Sequence, residues 1–256
     1  MLQSGLVSIS FRKLSVREIV DLVARSGLQG IEWGGDVHVP HGDLARAREA
    51  AAMTRDAGLT VSSYGSYYRA GEPPADDNPD FQAVLESARA LGAPAIRVWS
   101  GRRASAAATA AYREQVAVDL CRIGDLAAAA GLTVACEHHG GTLTDTPASA
   151  RSLYTRLEGH PVGAYWQPSL DLTCEENLAA LQSLLPCLVN LHVFHWVVSA
   201  KGRERCALAA GRADWERYLR LVRPAARPHW ALLEFVKDDR PEQFLEDAAA
   251  LRQWLV

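Results

Sequence analysis

The chain has 256 residues, of which 48% are apolar, 22% charged and 7% aromatic, so it has ample material for a folded core. The formal net charge is −3, which leaves no excess of positive charge to neutralise a phosphate backbone and argues against a nucleic-acid partner. No uninterrupted run of about 18 apolar residues is present, and Arg12 and Lys13 follow the first short apolar run instead of preceding it. We therefore expect neither a membrane span nor a signal peptide.

The cysteines are irregularly spaced and form no CxxC pair; they are Cys121, Cys136, Cys174, Cys187 and Cys206. An odd number at wide spacing fits neither a zinc knuckle nor a disulfide scaffold. Free thiols are typical of a reducing compartment, so we expect a cytoplasmic protein.

A repeated unit of helix, tight turn and strand runs through the first half of the chain. Amphipathic stretches end at a glycine, which adopts the left-handed conformation without a Cβ clash, and a short apolar strand follows. After a first strand over residues 6–10, these pairs are Gly27 with strand 30–33, Gly58 with 60–64, Gly92 with 96–99 and Gly131 with 133–137.

Prolines mark the same boundaries in the second half, with Pro161 before strand 163–166, Pro186 before 188–193 and Pro228 before 230–235. Eight strands that alternate with helices predict an α/β fold, the (β/α)8 TIM barrel, as a single domain over residues 1–256. A doubly wound sheet is the alternative, but it would need a glycine-rich phosphate loop after the first strand, which is absent.

Four consecutive predicted strands end in side chains that can ligate a metal. They are Glu137, Gln167, His192 and Glu234. The alternation of side chains along each strand directs these residues into the barrel, and neighbouring strands lie only about 4.8 Å apart. Two carboxylates, an imidazole and an amide oxygen predict one divalent ion, Mn²⁺, Mg²⁺ or Co²⁺, with Zn²⁺ less favoured. An ordinary ion pair or hydrogen bond is the alternative for each residue taken singly.

Several short motifs carry a family resemblance. They are residues 30–40, which read GIEWGGDVHVP, residues 63–69, which read SYGSYYR, and the segments Glu137-His138-His139-Gly140 and Leu191-His192-Val193-Phe194-His195. The chain resembles the sugar phosphate isomerase/epimerase family, the xylose isomerase-like group of TIM barrels. The resemblance implies a divalent metal held at the ends of strands five to eight. It also implies that Glu137 and Glu234 move protons.

The chain departs from the family pattern at strands six and seven. Where the family usually has Asp-Pro-Gly-His, this chain has Gln167-Pro168-Ser169-Leu170, and Asp171 is an alternative ligand. Strand seven ends His192-Val193-Phe194-His195, where His-Val-Lys-Asp is common. We therefore expect weaker metal binding and altered substrate contacts.

Aromatic and basic residues near the strand ends are candidate substrate contacts. They are Trp33, His38, Tyr64, Arg97, Trp99, His139, His195 and Lys201. Aromatic faces suit the C–H-rich face of a sugar, so we expect at least three of Trp33, Tyr64, Trp99, Trp166 and Trp196 to line one cleft. A buried Arg97 would need a carboxylate partner, for which Glu32 is the candidate. The loop over residues 196–211 is long enough to form a lid.

These features predict a metal-dependent isomerase or epimerase that acts on a small sugar, sugar phosphate or polyol-derived ketone. Glu137 would remove the proton beside the carbonyl and Glu234 would return one, through an enediolate. A dehydratase with the same first step and a non-catalytic carbohydrate-binding barrel are alternatives. A metal-dependent endonuclease is disfavoured by the net charge of −3. We expect a small carbohydrate as partner, no redox cofactor, and an assembly state compatible with a homo-oligomer.

Overall fold

The computed structural model describes residues 2–200, 202–225 and 227–255. Its strands in chain order are β1 (Leu2–Val7), β2 (Gly30–Gly34), β3 (Thr60–Arg69), β4 (Ala95–Trp99), β5 (Thr133–Glu137), β6 (Val162–Trp166), β7 (Leu188–Val193), β8 (His195–Ser199), β9 (Gly202–Cys206) and β10 (His229–Leu233). All except β8 and β9 form a closed parallel barrel in the order β1-β10-β7-β6-β5-β4-β3-β2. The predicted (β/α)8 TIM barrel is confirmed.

Helices cover the outside of the barrel. They are α1 (Val16–Ser26), α2 (Leu44–Asp56), α3 (Phe81–Leu91), α4 (Ala110–Ala129), α5 (Pro147–Arg156), α6 (Cys174–Leu184), α7 (Arg212–Val222) and α8 (Pro241–Leu255). Ser15 and Glu18 form a capping box that begins α1, and Gly27 ends this helix at φ 74°. Glycine therefore ends α1 as the sequence predicts.

Two predicted segments differ from the structure. The first strand is Leu2–Val7, and Ser8–Phe11 forms a 3₁₀ turn that leads into α1. The predicted lid loop instead contains an antiparallel hairpin of β8 and β9, in which His195 pairs with Cys206 and Ser199 with Gly202. Strand β8 contains Trp196, Val197 and Val198, which are aromatic or β-branched residues that favour strands.

The barrel interior holds a small apolar cluster of Val7, Ile9, Ala135, Tyr165, Trp230 and Leu232. Successive side chains of a strand point to opposite faces, so a residue two positions from a cluster member also points inward. Ala135, Tyr165 and Leu232 precede three of the predicted ligands by two positions. The barrel register therefore directs those ligands inward at the carboxyl ends of the strands, here called the mouth.

No helix within the described ranges is both long enough and apolar enough to cross a bilayer.

Candidate metal centre and active site

The four predicted ligands converge around one ring nitrogen of His192. Nδ1 of His192 lies 3.3 Å from Oε1 of Gln167, 3.4 Å from Oε1 of Glu137 and 3.2 Å from Oε2 of Glu234. Ligand atoms of Glu137, His192 and Glu234 all lie within 4.8 Å of one another, and all three residues are buried. The structure therefore brings the predicted set together, including the neutral Gln167.

Polar atoms in this cluster fit a bound cation. Oε2 of Glu234 is buried and has no hydrogen-bond partner within the part of the chain that the structure describes. A buried carboxylate oxygen without a donor is unfavourable unless a cation balances it. The amide of Gln167 is oriented by its Nε2, which donates to the His138 carbonyl at 2.6 Å, so its oxygen is left for the cluster. The residues present therefore fit a divalent metal.

Arg97 on β4 bridges two carboxylates beneath the mouth. Its Nε donates to Oε1 of Glu32 at 2.8 Å, and its Nη1 donates to Oε2 of Glu137. Gly65 makes room for this pair, because a Cβ there would lie 2.5 Å from Nη2 of Arg97. The predicted contact between Arg97 and Glu32 is confirmed, whereas the second carboxylate was not predicted. With 1% exposure, Arg97 lies under the mouth and not at its rim.

The two oxygens of Glu137 are in different environments. Oε2 accepts from Arg97 and from Nε1 of Trp99 at 2.6 Å, while Oε1 faces His192. Burial alone would raise the pKa of Glu137, but the charge of Arg97 and the contact with His192 lower it well below its usual value. Glu137 is therefore a fixed carboxylate with one oxygen left for a metal.

Glu32 on β2 lies in the site, although the sequence indicates it only as a partner for Arg97. It is fully buried, and its Oε2 accepts from Oγ of Ser63 at 2.7 Å. Its Oε1 lies 3.5 Å from Nε2 of His192. Burial would raise the pKa of Glu32, but Arg97 and His192 lower it to about 2. A charged residue in the middle of an all-buried strand was the available signal.

Two aromatic residues predicted to contact substrate face the helices instead. Trp33 is fully buried and its Nε1 donates to Oγ1 of Thr54 in α2 at 3.1 Å. Tyr64 is also fully buried, and its hydroxyl donates to the Val39 carbonyl at 2.8 Å. The predictions for Trp33 and Tyr64 are wrong because both residues have the outward parity of their strands.

His38 also differs from its prediction. Its ring is 2% exposed, with Nδ1 3.0 Å from Oγ of Ser8 and Nε2 3.1 Å from the Leu14 carbonyl. These contacts tie the loop after β2 to the turn after β1, and burial lowers the pKa of His38. His38 therefore supports the loop and does not reach the mouth. Trp166, likewise, packs against Tyr218 of α7 at 5.0 Å between ring centroids.

Trp99 and His139 do lie at the mouth. Their rings stack at 4.4 Å, and the guanidinium of Arg69 lies 4.1 Å above the Trp99 ring. His195 packs its ring against Gly211 beside α7 and lines a neighbouring cavity of about 160 Å³ that also includes Phe194 and Trp196. The contact of His195 with substrate stays a prediction. Lys201 lies outside the described residues.

A cavity of about 390 Å³ opens at the mouth, and one of the four predicted ligands, Gln167, lines it. Its walls include His139, Gln167, Phe194, Trp196, Arg203 and Phe235. Of the five aromatic residues expected to share one cleft, only Trp196 lines this cavity and Trp99 adjoins it through His139, so the prediction of at least three is wrong.

Two further aromatic residues at the mouth were missed. Tyr67 and Phe235 have φ values of 58° and 53°, a left-handed conformation that bulky residues rarely adopt. The ring of Tyr67 lies 5.2 Å from the guanidinium of Arg97, and the ring of Phe235 lies 5.0 Å from that of Trp196. No pattern of residue types in the sequence predicts such a backbone conformation.

Asp171, the alternative ligand of strand six, does not join the cluster. Its side chain is 76% exposed and pairs with Arg203 of β9 at 3.4 Å. Arg205 of the same strand pairs with Asp239 at 2.5 Å. These two pairs connect the hairpin to the loops at the mouth. Of the two candidate ligands of strand six, Gln167 therefore lies in the cluster and Asp171 does not.

Solved structures share this fold at low sequence identity. The probable 3-DHS dehydratase AsbF from Bacillus anthracis superposes with a TM-score of 0.79 at 20% identity, over 98% of this chain and 99% of that one. A D-psicose 3-epimerase gives 0.70 at 16% identity, over 99% of each chain. A xylose isomerase-like TIM barrel protein from Mycobacterium smegmatis, in complex with magnesium, gives 0.74 at 14% identity, over 99% and 98%.

No curated protein sequence matches the chain. Residues 20–254, however, match the family described as xylose isomerase-like TIM barrel. The match spans most of the chain and includes all the converging mouth residues. This protein therefore belongs to the xylose isomerase-like TIM barrel family.

Proposed function

We propose that this protein is a divalent-metal-dependent enzyme that moves a proton beside the carbonyl of a small polyhydroxy aldehyde or ketone, as a sugar isomerase or epimerase does. The observation that carries the proposal is the position of Glu234, whose buried Oε2 lies 3.2 Å from Nδ1 of His192 without a hydrogen bond to any described residue. A metal held by Oε2 would leave the other oxygen of Glu234 free. A carboxylate with a free oxygen beside a ligand cavity is suited to act as a general base.

Glu137, Gln167, His192 and Glu234 would hold the metal. This mixed nitrogen and oxygen set suits Mn²⁺, Mg²⁺ or Co²⁺, and Zn²⁺ less well. When bound, the ion would act as a Lewis acid on the carbonyl and hydroxyl oxygens of a substrate and so acidify the C–H between them. Gln167 is neutral, so the ligands carry only the two negative charges of Glu137 and Glu234.

The contacts of the two glutamates support a different division of roles from the one that the family resemblance implies. Arg97 and Trp99 hold Oε2 of Glu137, which lowers the basicity of that carboxylate. Glu234 has no such donor, so we assign proton removal to Glu234. A single base can move a proton between adjacent carbons on one face of an enediolate, as aldose–ketose isomerisation requires. Epimerisation needs a second group on the opposite face, for which Glu137 is the candidate.

The mouth cavity supports a small carbohydrate as substrate. Phe194, Trp196 and Phe235 form a continuous aromatic wall, with ring centroids 5.0 to 5.8 Å apart. Aromatic faces pack against the C–H groups of a sugar, while Gln167 and His139 supply polar groups across the same cavity. A volume of about 390 Å³ accommodates a molecule of this size.

A dehydratase is the second candidate, and the asymmetry of the glutamates favours it. Loss of water needs one base to remove the proton and loss of a hydroxyl from the next carbon, with the C–H electron pair forming the new double bond. It needs no proton delivery to the opposite face. One structurally similar protein, from Bacillus anthracis, is described as a probable dehydratase.

Proton exchange in D₂O tests the proposal. The purified protein with Mn²⁺ is incubated with a panel of ketoses, aldoses and cyclic polyol-derived ketones, and deuterium at the carbon beside the carbonyl is followed by NMR. We expect incorporation with at least one compound, and a loss of about a hundredfold or more in Glu234→Gln. Glu158→Gln, an exposed carboxylate-to-amide change after α5, is the matched control and should keep the parental rate.

The products separate the two candidates. An isomerase gives a product of unchanged mass, whereas a dehydratase gives a conjugated carbonyl compound that absorbs ultraviolet light and has lost water. Binding of a panel compound without exchange in any metal would contradict both candidates and support a carbohydrate-binding barrel.

A further inference from the structure

We infer that Glu32 is a positioning residue that fixes two of the mouth ligands at once, His192 by direct contact and Glu137 through Arg97. The inference rests on the metal site of the proposed function and not on any reaction. Glu32 touches neither the mouth cavity nor the converging ligand atoms around Nδ1 of His192, so it acts only through these other residues.

Glu32 occupies the centre of a buried polar network that spans the barrel interior. It lies on β2 and contacts Ser63 of β3 at 2.7 Å, Arg97 of β4 at 2.8 Å and His192 of β7 at 3.5 Å. These elements come from both sides of the barrel, because β2 and β7 are not neighbours in the sheet. An ionised carboxylate with no exposed surface is costly unless such partners balance its charge. These partners therefore fix the position of Glu32 more firmly than packing alone would.

The first effect of Glu32 is on the orientation of the imidazole. Nε2 of His192 lies 3.5 Å from Oε1 of Glu32 and has no hydrogen bond to any described residue. Because an ionised carboxylate accepts hydrogen bonds and does not donate them, its charge at this distance favours a proton on Nε2. Nδ1 is then the nitrogen available as a ligand, and Nδ1 is the atom around which Glu137, Gln167 and Glu234 converge. Metal-binding histidines generally have their second nitrogen fixed in this way.

The second effect is on Glu137. The planar guanidinium of Arg97 is held at one side by Glu32 and at the other by Oε2 of Glu137, which leaves Oε1 directed at His192. The balance of charge near the ligands also requires Glu32. Without the negative charge of Glu32, the positive charge of Arg97 would repel a cation bound by Glu137. Glu32 therefore keeps the network close to neutral while the ligands keep their negative charge.

Metal binding and the Nε2 proton of His192 test this role without any substrate. We compare the parent protein with Glu32→Gln by Mn²⁺ titration, and by ¹⁵N NMR of His192 with Mg²⁺ bound. We expect Mn²⁺ affinity to fall by about 10- to 100-fold, and the proton on Nε2, which Glu32 retains in the parent, to exchange faster with solvent in the variant. Asp247→Asn, a carboxylate-to-amide change at a buried position on α8, is the matched control and should bind as the parent does.

A purely structural role would lower the melting temperature of Glu32→Gln but leave metal affinity and exchange of the Nε2 proton unchanged in the folded protein, and that result overturns the inference. If Glu32→Gln does not fold, Glu32→Asp keeps the charge but shortens the reach, and we expect weaker binding than in the parent; parental affinity in this variant also overturns the inference. A parent protein that binds no divalent metal would contradict the proposed metal site as well, which separates the two failures.

Discussion

Arg97 and Glu137 form an ion pair between the neighbouring strands β4 and β5, and the guanidinium contacts only one of the two carboxylate oxygens. The other oxygen lies 3.4 Å from Nδ1 of His192. One carboxylate therefore joins a structural ion-pair network and a candidate metal site at the same time. We therefore expect stability and metal binding to be coupled through that carboxylate.

Replacing Arg97 by Gln should destabilise the protein strongly. The change leaves Glu32 and Glu137 buried without their cation, and breaking a buried ion pair from one side costs about 3–5 kcal/mol. Urea unfolding of the metal-free protein measures the loss. Arg102, which is 36% exposed and pairs with Asp77, offers the control, since Arg102→Gln should cost no more than about 1 kcal/mol. Equal decreases in the free energy of unfolding of the two variants would show that the buried ion pairs of Arg97 stabilise the protein no more than an exposed pair does.

Replacing Gln167 by Asp should strengthen metal binding. Oε1 of Gln167 lies 3.3 Å from Nδ1 of His192, so an aspartate there would add a third negative charge near the ligand set. Ligand charge count is a main determinant of divalent-ion affinity, and we expect a gain of about tenfold or more in Mn²⁺ titrations. Asp171→Asn, at the exposed neighbour that pairs with Arg203, should change the affinity little. An unchanged affinity in Gln167→Asp would remove Gln167 from the ligand set.

Metal binding should release a proton at neutral pH. Burial alone would lower the pKa of His192, but the carboxylates of Glu234, Glu32 and Glu137 raise it well above its usual value. The metal-free site therefore holds a protonated imidazole at pH 7, and a metal must displace the Nδ1 proton. Affinity should consequently increase as the pH rises above 7. Calorimetric titration in buffers of different ionisation enthalpy measures the released proton, and heats independent of the buffer would contradict the prediction.

The metal-free protein should lose stability in acid through Glu32. Its pKa is lowered from 4.5 to about 2 in the folded state, because Arg97 and His192 outweigh the opposing effect of burial. A lowered folded-state pKa contributes stability above the unfolded value, and this contribution is lost as the pH falls from about 4.5 towards 2. The free energy of unfolding measured across this window should fall less steeply in Glu32→Gln than in the parent. Parallel curves would show that Glu32 is not ionised in the folded protein.

The convergence of the predicted ligands followed from the alternation of side chains along strands. Glu137, His192 and Glu234 lie at or one residue before the end of a predicted strand, and a period of two directs them into the barrel together with Gln167. The same rule was available for Trp33, which follows the inward Glu32 and must therefore face the helices. Position at a strand end was not sufficient evidence for a substrate contact.

The aromatic wall of the mouth could not be predicted in this way. Phe235 follows Glu234 directly and would face outward in a regular strand, but its φ of 53° turns its ring towards Trp196. Tyr67 has a similar conformation, with a φ of 58°. Such a conformation is unfavourable by itself and persists only where tertiary contacts hold the backbone in place. Those contacts come from residues distant in sequence.

A crystal of the protein soaked in Mn²⁺ and measured at the manganese absorption edge shows whether the mouth binds a metal. We expect one strong anomalous peak per chain at the mouth, bounded by Oε1 of Glu137, Oε1 of Gln167, Nδ1 of His192 and Oε2 of Glu234. A mouth without an anomalous peak, or a peak bound by Asp171 with Gln167 turned away, would contradict this expectation.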